Sequence, residues 1–496
     1  MNNLINEKTE NYLIKIDRVI EKGKYKDNWQ SLMNHKTPDW YYNGKFGIFI
    51  HWGIYSVPAM GNEWYPRNMY IQGSVEYEHH IKTFGEHKNF GYKDFIPMFK
   101  ASAFSADEWA EAFRNAGAQF VMPVAEHHDG FAMYSTEFNR WNAKNMGPCR
   151  DVMAELKSAV ERNNMTFCLS NHRAEHYFFL NGGRRFDSDL NNPETEDFYG
   201  PAVDTDELLG DMGASTESVD GEEPSEEWLK DWLCRICEMV DKFQPKIVYF
   251  DWWIQNKAFK PYLKKFAAYY YNRALEWGAE VTINYKHNAF APGVATLDIE
   301  RGALGGISPF PWQTDTSIGK LSWGYRKDNK YKSTYDIATT LIDVVSKNGM
   351  LLLNVGPKSD GTITDEELTV LREIGQWLKV NGEGIYGTTP WLKYREGEAK
   401  VASGAFSEGD VPYTDKDFRF TYKNGAVYAF CMNPSENKSV TVKSLAAGFR
   451  GTLVKKVTVL ANGEEPEFSA DENGLHFTLS SAVSGGLPVC YKIELE

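Results

Sequence analysis

Between about residue 44 and residue 355, short apolar runs closed by turn-forming residues alternate with longer runs in which apolar side chains recur at helical spacing. No other feature of the chain restricts its fold as strongly. A strand covered on both faces reads as a continuous apolar run, and a helix between successive strands is what parallel pairing needs. The strand candidates are KFGIFIHWG, AQFVMPVAEHHDG, MTFCLSNH, KIVYFDWW, EVTINYK and GMLLLNVGP, with DEWAEAFRNAG and DVMAELKSAVERNN among the helical runs between them. The pattern predicts an α/β fold of (β/α)8-like TIM-barrel type. A doubly wound open sheet alternates similarly, but no Gly-rich phosphate loop follows the first strand. After Thr389, Pro390 and Trp391 the helical periods stop, and FRFTYK, AVYAFCM, SVTVKSL, LVKKVTVL, LHFTLS and VCYKIELE follow as short alternating segments. Two domains are therefore expected, a (β/α) barrel over 1–390 and an antiparallel β-sandwich over 391–496.

Composition removes several classes of function. The formal net charge of −14 disfavours nucleic acid, whose binding rests on Lys and Arg neutralising phosphates. Six irregularly spaced Cys give no disulfide framework, and Cys234 and Cys237 lie in a run of helical period where packing is the simpler reading. The N-terminal stretch is amphipathic and charged, with no continuous apolar segment, so neither a secretory signal nor a membrane span is expected there. Residues 186–227 are acidic with little apolar content and read as a solvated insertion. Aromatic residues reach 14%, including 15 Trp and 27 Tyr, a supply of flat apolar faces with polar edges that suits sugar stacking as well as a large core.

The predicted strand ends carry unusual residues: His51, His127, His128, Asn171, His172, Asp251, Asn284 and Asn354. In a (β/α) barrel the site is assembled at the C-terminal ends of the strands, so polar residues recurring there point to chemistry. Asp251 follows the wholly apolar IVYF and precedes two Trp, a placement that suits a reacting carboxylate, with helix capping as the alternative. Three imidazoles, His51, His127 and His128, could hold zinc, but adjacent residues on a strand point to opposite faces, which argues against His127 and His128 sharing an ion. A neutral imidazole both donates and accepts, matching a sugar hydroxyl. Glu63 and Trp64, in the loop after the first strand, add a carboxylate acceptor and an apolar surface.

The blocks KFGIFIHWGIYSVPAMGNEWYPRNMY, EHHDGFAMYST, VYFDWW, SWGYR and GMLLLNVGPKSDGTI, in this order over about residues 40–391, resemble the family 29 α-L-fucosidases. The resemblance implies a retaining, two-step hydrolysis of terminal α-linked L-fucose with an aspartate nucleophile, which carries over to Asp251. It also implies fucose contacts from His51, His127, His128, Glu63 and Trp64, and no metal or organic cofactor. The substrate implied is a fucosylated oligosaccharide or glycan. The family's acid/base is less uniform in position: where many members resemble Trp-Glu before SWGY, this chain has Gln313, whose amide cannot supply a proton. Glu300, in TLDIERGALGG, is then the expected acid/base, with Asp298 and Asp315 as alternatives. Arg301 beside it would hold a carboxyl's pKa down and is expected to turn away or contact the insertion loop. Tyr249, Trp252 and Trp323 are expected to provide the apolar wall that the methyl group of fucose needs.

Three other readings compete: a barrel glycosidase for another terminal sugar such as galactose, a non-hydrolytic carbohydrate-binding protein, and a metal-dependent hydrolase built on the histidines.

Overall fold

The computed structural model describes residues 6–203, 223–448, 453–483 and 486–496. Nine parallel strands form its first sheet: β1 (Phe46–Ile50), β2 (Phe120–Glu126), β3 (Thr166–Phe167), β4 (Leu169–Asn171), β5 (Ile247–Phe250), β6 (Thr282–Tyr285), β7 (Thr296–Glu300), β8 (Trp312–Ser317) and β9 (Gly349–Val355). β3 and β4 are two pieces of one position, both paired with β2 on either side of Cys168. β1 pairs with β9 on one side and β2 on the other, which closes the sheet into an eight-position barrel. Closure leaves no free edge.

The helices cover the outside because each has one apolar face. Ala106–Asn115, capped by the Ser105 side chain, buries Trp109, Ala110 and Phe113. Glu226–Phe243, capped by Ser225, buries Trp228, Trp232, Cys234 and Cys237, so the two cysteines pack as small apolar residues. Inside the barrel, Phe49, Phe120, Met122, Ile247, Met350 and Leu352 form one cluster. Gly47 makes room for it, since a Cβ there would lie 2.2 Å from the Phe120 ring.

Two barrel strands, β7 and β8, were not among the sequence candidates. Their sequences, TLDIE and WQTDTS, are not apolar runs. The inward positions hold Asp298, Glu300, Gln313 and Asp315, while Ile299 and Trp312 face outward to pack with Ala303 and Val344. Glu300 thus ends a strand rather than lying in a Gly-rich loop.

Eight antiparallel strands follow: β10 (Thr389–Glu396), β11 (Phe418–Lys423), β12 (Ala426–Cys431), β13 (Ser439–Val442), β14 (Val454–Val459), β15 (Phe468–Asp471), β16 (Gly474–Thr478) and β17 (Val489–Leu495). They make a sheet in the order β10-β11-β12-β17-β14 and a smaller one in the order β13-β16-β15. The two sandwich a core that includes Trp391, Phe420, Val427, Leu475 and Phe477. Arg419 of β11 reaches the barrel helix Thr334–Ser346, donating to Asp343 at 2.6 Å with both groups buried.

The acidic insertion departs from its expected solvated character. Leu190, Phe198 and Tyr199 are buried, and Tyr70 donates to the buried Asp189 at 2.8 Å. Sparse apolar residues suffice here because the segment folds back onto the loops after β1. Residues 204–222 of the insertion lie outside the described residues.

Candidate active site

The C-terminal ends of the barrel strands open into a cavity of about 480 Å³. Asp251, Glu300, His51, Glu63, Trp64, His127, His128, Tyr249 and Trp323 all line it. Residues scattered over 273 positions of the chain (51 to 323) meet there because each lies near the C-terminal end of a barrel strand or in the loop that follows one.

Asp251 is held from several directions. His172 Nδ1 lies 3.0 Å and His128 Nε2 3.5 Å from its Oδ2, while Trp252 N–H donates to its Oδ1 at 2.8 Å. The Lys286 ammonium stands 3.4 Å from the same Oδ1. Burial alone would raise this carboxyl's pKa, but Lys286 and then His172 hold it well below the usual carboxylate range, so it is ionised at neutral pH.

Lys286 follows β6 and is shared by four acids. It bonds Glu300 directly and lies 3.7 Å from Asp315 and 4.0 Å from Asp298. Burial would discharge it, but Asp315, Glu300, Asp251 and Asp298 keep the ammonium charged. Glu300 behaves differently from Asp251. Its pKa is raised to about 7, first by burial and then, against the pull of Lys286, by the charges of Asp315 and Asp251. Asp298, deeper still, is raised well above its usual range by burial and by Asp315. The floor therefore separates one ionised carboxylate, Asp251, from a neighbouring acid that keeps its proton near neutrality. Such a split assigns opposite proton-transfer roles to paired carboxyls.

His51, His127 and His128 are neutral. Burial lowers His51 and His127 well below the usual imidazole range and His128 to about 3. His51 has a defined tautomer: Asn354 donates its amide to Ser317 Oγ and the Trp323 carbonyl, at 2.9 and 2.7 Å, so its Oδ1, 2.7 Å away, accepts from His51 Nδ1–H. His51 Nε2 is left as an acceptor for a ligand hydroxyl. His128 Nδ1 lies 3.0 Å from the His172 carbonyl, which likewise leaves Nε2 facing the site. Glu63 accepts from Trp323 N–H at 2.8 Å and Ser322 Oγ at 3.0 Å, so this carboxylate braces the loop after β8. Trp64 and Trp252 face each other in parallel, centroids 6.5 Å apart.

Several expectations need correction. His127 and His128 do not diverge: β2 ends at Glu126, the alternation ends with it, and their ring centroids lie 4.2 Å apart in the same cavity. Donor atoms of His51, His127 and His172 lie within 4.8 Å of one another, as do those of His128, His172 and Asp251; in the second group Lys286 already supplies positive charge to Asp251. Of the two outcomes expected for Arg301, it takes the first: it turns from Glu300 to stack on Trp323, 4.5 Å from the ring centroid, with Glu408 as its acidic neighbour at 3.8 Å. Gln313 is fully buried beneath the cavity. It accepts from Tyr41 Oη and donates to Asp298, each at 2.6 Å, and it is not among the residues lining the cavity.

The sequence model of the α-L-fucosidase family matches residues 12–383. This chain belongs to the α-L-fucosidase family. Tissue α-L-fucosidase of Rattus norvegicus is 31% identical over 94% of this chain and 90% of its own length. Plasma α-L-fucosidase of Homo sapiens is 31% identical with the same coverage. The Thermotoga maritima α-fucosidase solved in complex with fucose superposes with a TM-score of 0.74 at 28% identity, over 95% of this chain and 100% of that one. Among the described residues no helix is long and apolar enough to cross a membrane.

Sequence reasoning named His172 among the polar strand ends but gave it no role in this family member's site, and it passed over Lys286. Both directly follow barrel strands, so the strand-end rule that picked Asp251 reaches Lys286 too. Glu175, buried 3.3 Å behind His128 Nδ1, carried no such signal; it follows a strand by four residues and sits in a short 3₁₀ turn.

Proposed function

We propose that this chain is a retaining exo-α-L-fucosidase acting on terminal α-linked L-fucose of oligosaccharides or glycoconjugates, with Asp251 as nucleophile and Glu300 as acid/base. The observation that carries the reading is the pair itself: a depressed and a raised carboxyl meeting at one ammonium, Lys286, on the cavity floor. A retaining mechanism needs two such groups ~5 to 5.5 Å apart. An Asp251 oxygen attacks the anomeric carbon as its bond to the leaving oxygen breaks, and Glu300 gives that oxygen its proton. Glu300 then takes a proton from water, the water oxygen bonds the anomeric carbon, and Asp251 departs as carboxylate. His51, His127 and His128 bind the sugar hydroxyls, with Glu63 and Trp64 at the rim. Tyr249, Trp252 and Trp323, which line the cavity, offer the apolar wall for the sugar's methyl group. In the same reading residues 1–390 are the catalytic unit and residues 391–496 brace it, through contacts such as Arg419 to Asp343.

The test is hydrolysis of 4-nitrophenyl α-L-fucoside by the wild type, Asp251→Ala and Glu300→Ala, with the product anomer read by NMR. Retention, loss of activity in Asp251→Ala and azide rescue of Glu300→Ala are expected. Full activity in Glu300→Ala would move the acid elsewhere, and a wild type inert toward the fucoside would end the substrate reading.

A further inference from the structure

Beside the cavity above Asp251 lies a second one of about 590 Å³, and the two share Arg301, Lys320 and Phe406 as walls. The far walls of the second are the helix Thr334–Ser346, which contributes Asp336, Thr339 and Thr340, and the segment 401–413. That segment comes from beyond β10, yet it is laid along the chain that leaves the candidate acid. Gly404, Phe406 and Glu408 donate their N–H groups to the carbonyls of Ala303, Glu300 and Arg301 at 2.9, 2.7 and 3.0 Å. The approach is close enough that a Cβ on Gly302 would lie 1.9 Å from the Gly404 carbonyl oxygen.

Phe406 is the anomaly of this segment. It is 61% exposed, and its φ of 53° is left-handed, which is costly for a bulky side chain. Neither burial nor backbone preference accounts for an aromatic residue there. Position does: two other exposed apolar side chains, Leu321 and Ile71, line the same mouth, and the backbone N–H of Phe406 is tied to Glu300 itself.

We infer that Phe406 is the platform on which the first sugar of the leaving glycan stacks, and that the adjoining cavity takes the units beyond it. The inference rests on the hydrolase reading. The oxygen that Glu300 protonates belongs to the leaving sugar, so that sugar must lie on the Glu300 side, where Phe406 offers a flat apolar face to its CH groups. Asp336, Thr339, Thr340 and Lys320 offer hydrogen bonds to hydroxyls further along.

The test compares α-L-fucosyl fluoride, whose leaving group occupies no sugar site, with trisaccharides carrying fucose at O2, O3 or O4. The measured quantity is kcat/KM for the best trisaccharide divided by kcat/KM for the fluoride. This ratio is expected to fall roughly ten-fold in Phe406→Ala, through a higher KM, and to recover in Phe406→Trp. Phe406→Gly, which accommodates the positive φ, should behave as the Ala variant and separates loss of the ring from backbone strain. An unchanged ratio in both the Ala and Gly variants overturns the inference, as does a wild type that cleaves the fluoride but none of the trisaccharides. A wild type inert toward all of them would instead remove the hydrolase reading.

Discussion

The two sides of the barrel interior are built on opposite principles. On one side β1 and β9 turn Phe49, Met350 and Leu352 inward, and these pack with Phe120 and Met122 as an ordinary apolar core. On the other, β7 and β8 turn Asp298, Glu300, Gln313 and Asp315 inward, joined by the Lys286 ammonium and by Tyr249, which donates to Asp315 at 2.9 Å. Burial of a charge is tolerated only when it is paired and hydrogen-bonded, and here each acid has such a partner. The apolar side supplies cohesion, and the polar side holds carboxyls at different protonation states.

Removing the shared cation should break this arrangement most severely. Lys286→Met is expected to lower kcat/KM about a thousand-fold, by analogy with the loss of a preorganised charge at a reacting centre. Asp251 would also lose the partner that depresses it, so the acidic limb of the pH profile should move upward. A variant within ten-fold of wild type would mean that the polar side does not depend on Lys286.

The apolar side should respond in stability alone. Leu352→Ala, at a fully buried position, should cost about 2 to 5 kcal/mol in denaturant unfolding with little change in kcat/KM. A comparable loss of activity would show that the two sides are not separable.

Between these lies Gln313→Leu, which keeps the volume but leaves the Tyr41 hydroxyl hydrogen without its acceptor and Asp298 Oδ1 without its Gln313 donor, although Asn284 still donates to Tyr41 Oη at 3.1 Å. A loss of about 1 to 3 kcal/mol is expected. Neutral or increased stability would place that network outside the forces holding the barrel.

The gentlest test is pH. Glu300 must be protonated to act, and its pKa is raised to about 7, so kcat/KM should fall about ten-fold per unit at pH values well above 7. Asp251 is depressed and stays ionised through the mildly acidic range, leaving that side of the profile flat. Glu300→Gln should abolish the basic limb, and a limb that survives belongs to another group.

Legibility in the sequence followed the same division. β1, β2, β3 with β4, β5, β6 and β9 were readable as apolar runs, and Asp251 stood out because IVYF precedes it. Lys286 was equally readable by position, in INYK, but a lone Lys after a strand looks like solvated charge until four acids are found around it. β7 and β8 were not readable as strands, since their inward residues are polar and satisfied only by partners far along the chain. Tyr41 and Gln313 are 272 residues apart. Phe406 belongs to the same category, since an exposed Phe in a Gly- and Ser-rich stretch acquires meaning only when the segment is found beside Glu300.

The amino-acid sequence by itself determined the alternation of strand and helix, the change to antiparallel segments near residue 389, and the family blocks that carry Asp251 and the histidines. These depend on local pattern, because burial of a strand or helix face is written in the spacing of its own residues. The tertiary structure alone decided which acids share Lys286, which carboxyl keeps its proton, and which segment reaches the cavity mouth. Those properties depend on desolvation and on charges brought together from distant positions by closure of the barrel, and no local pattern encodes them.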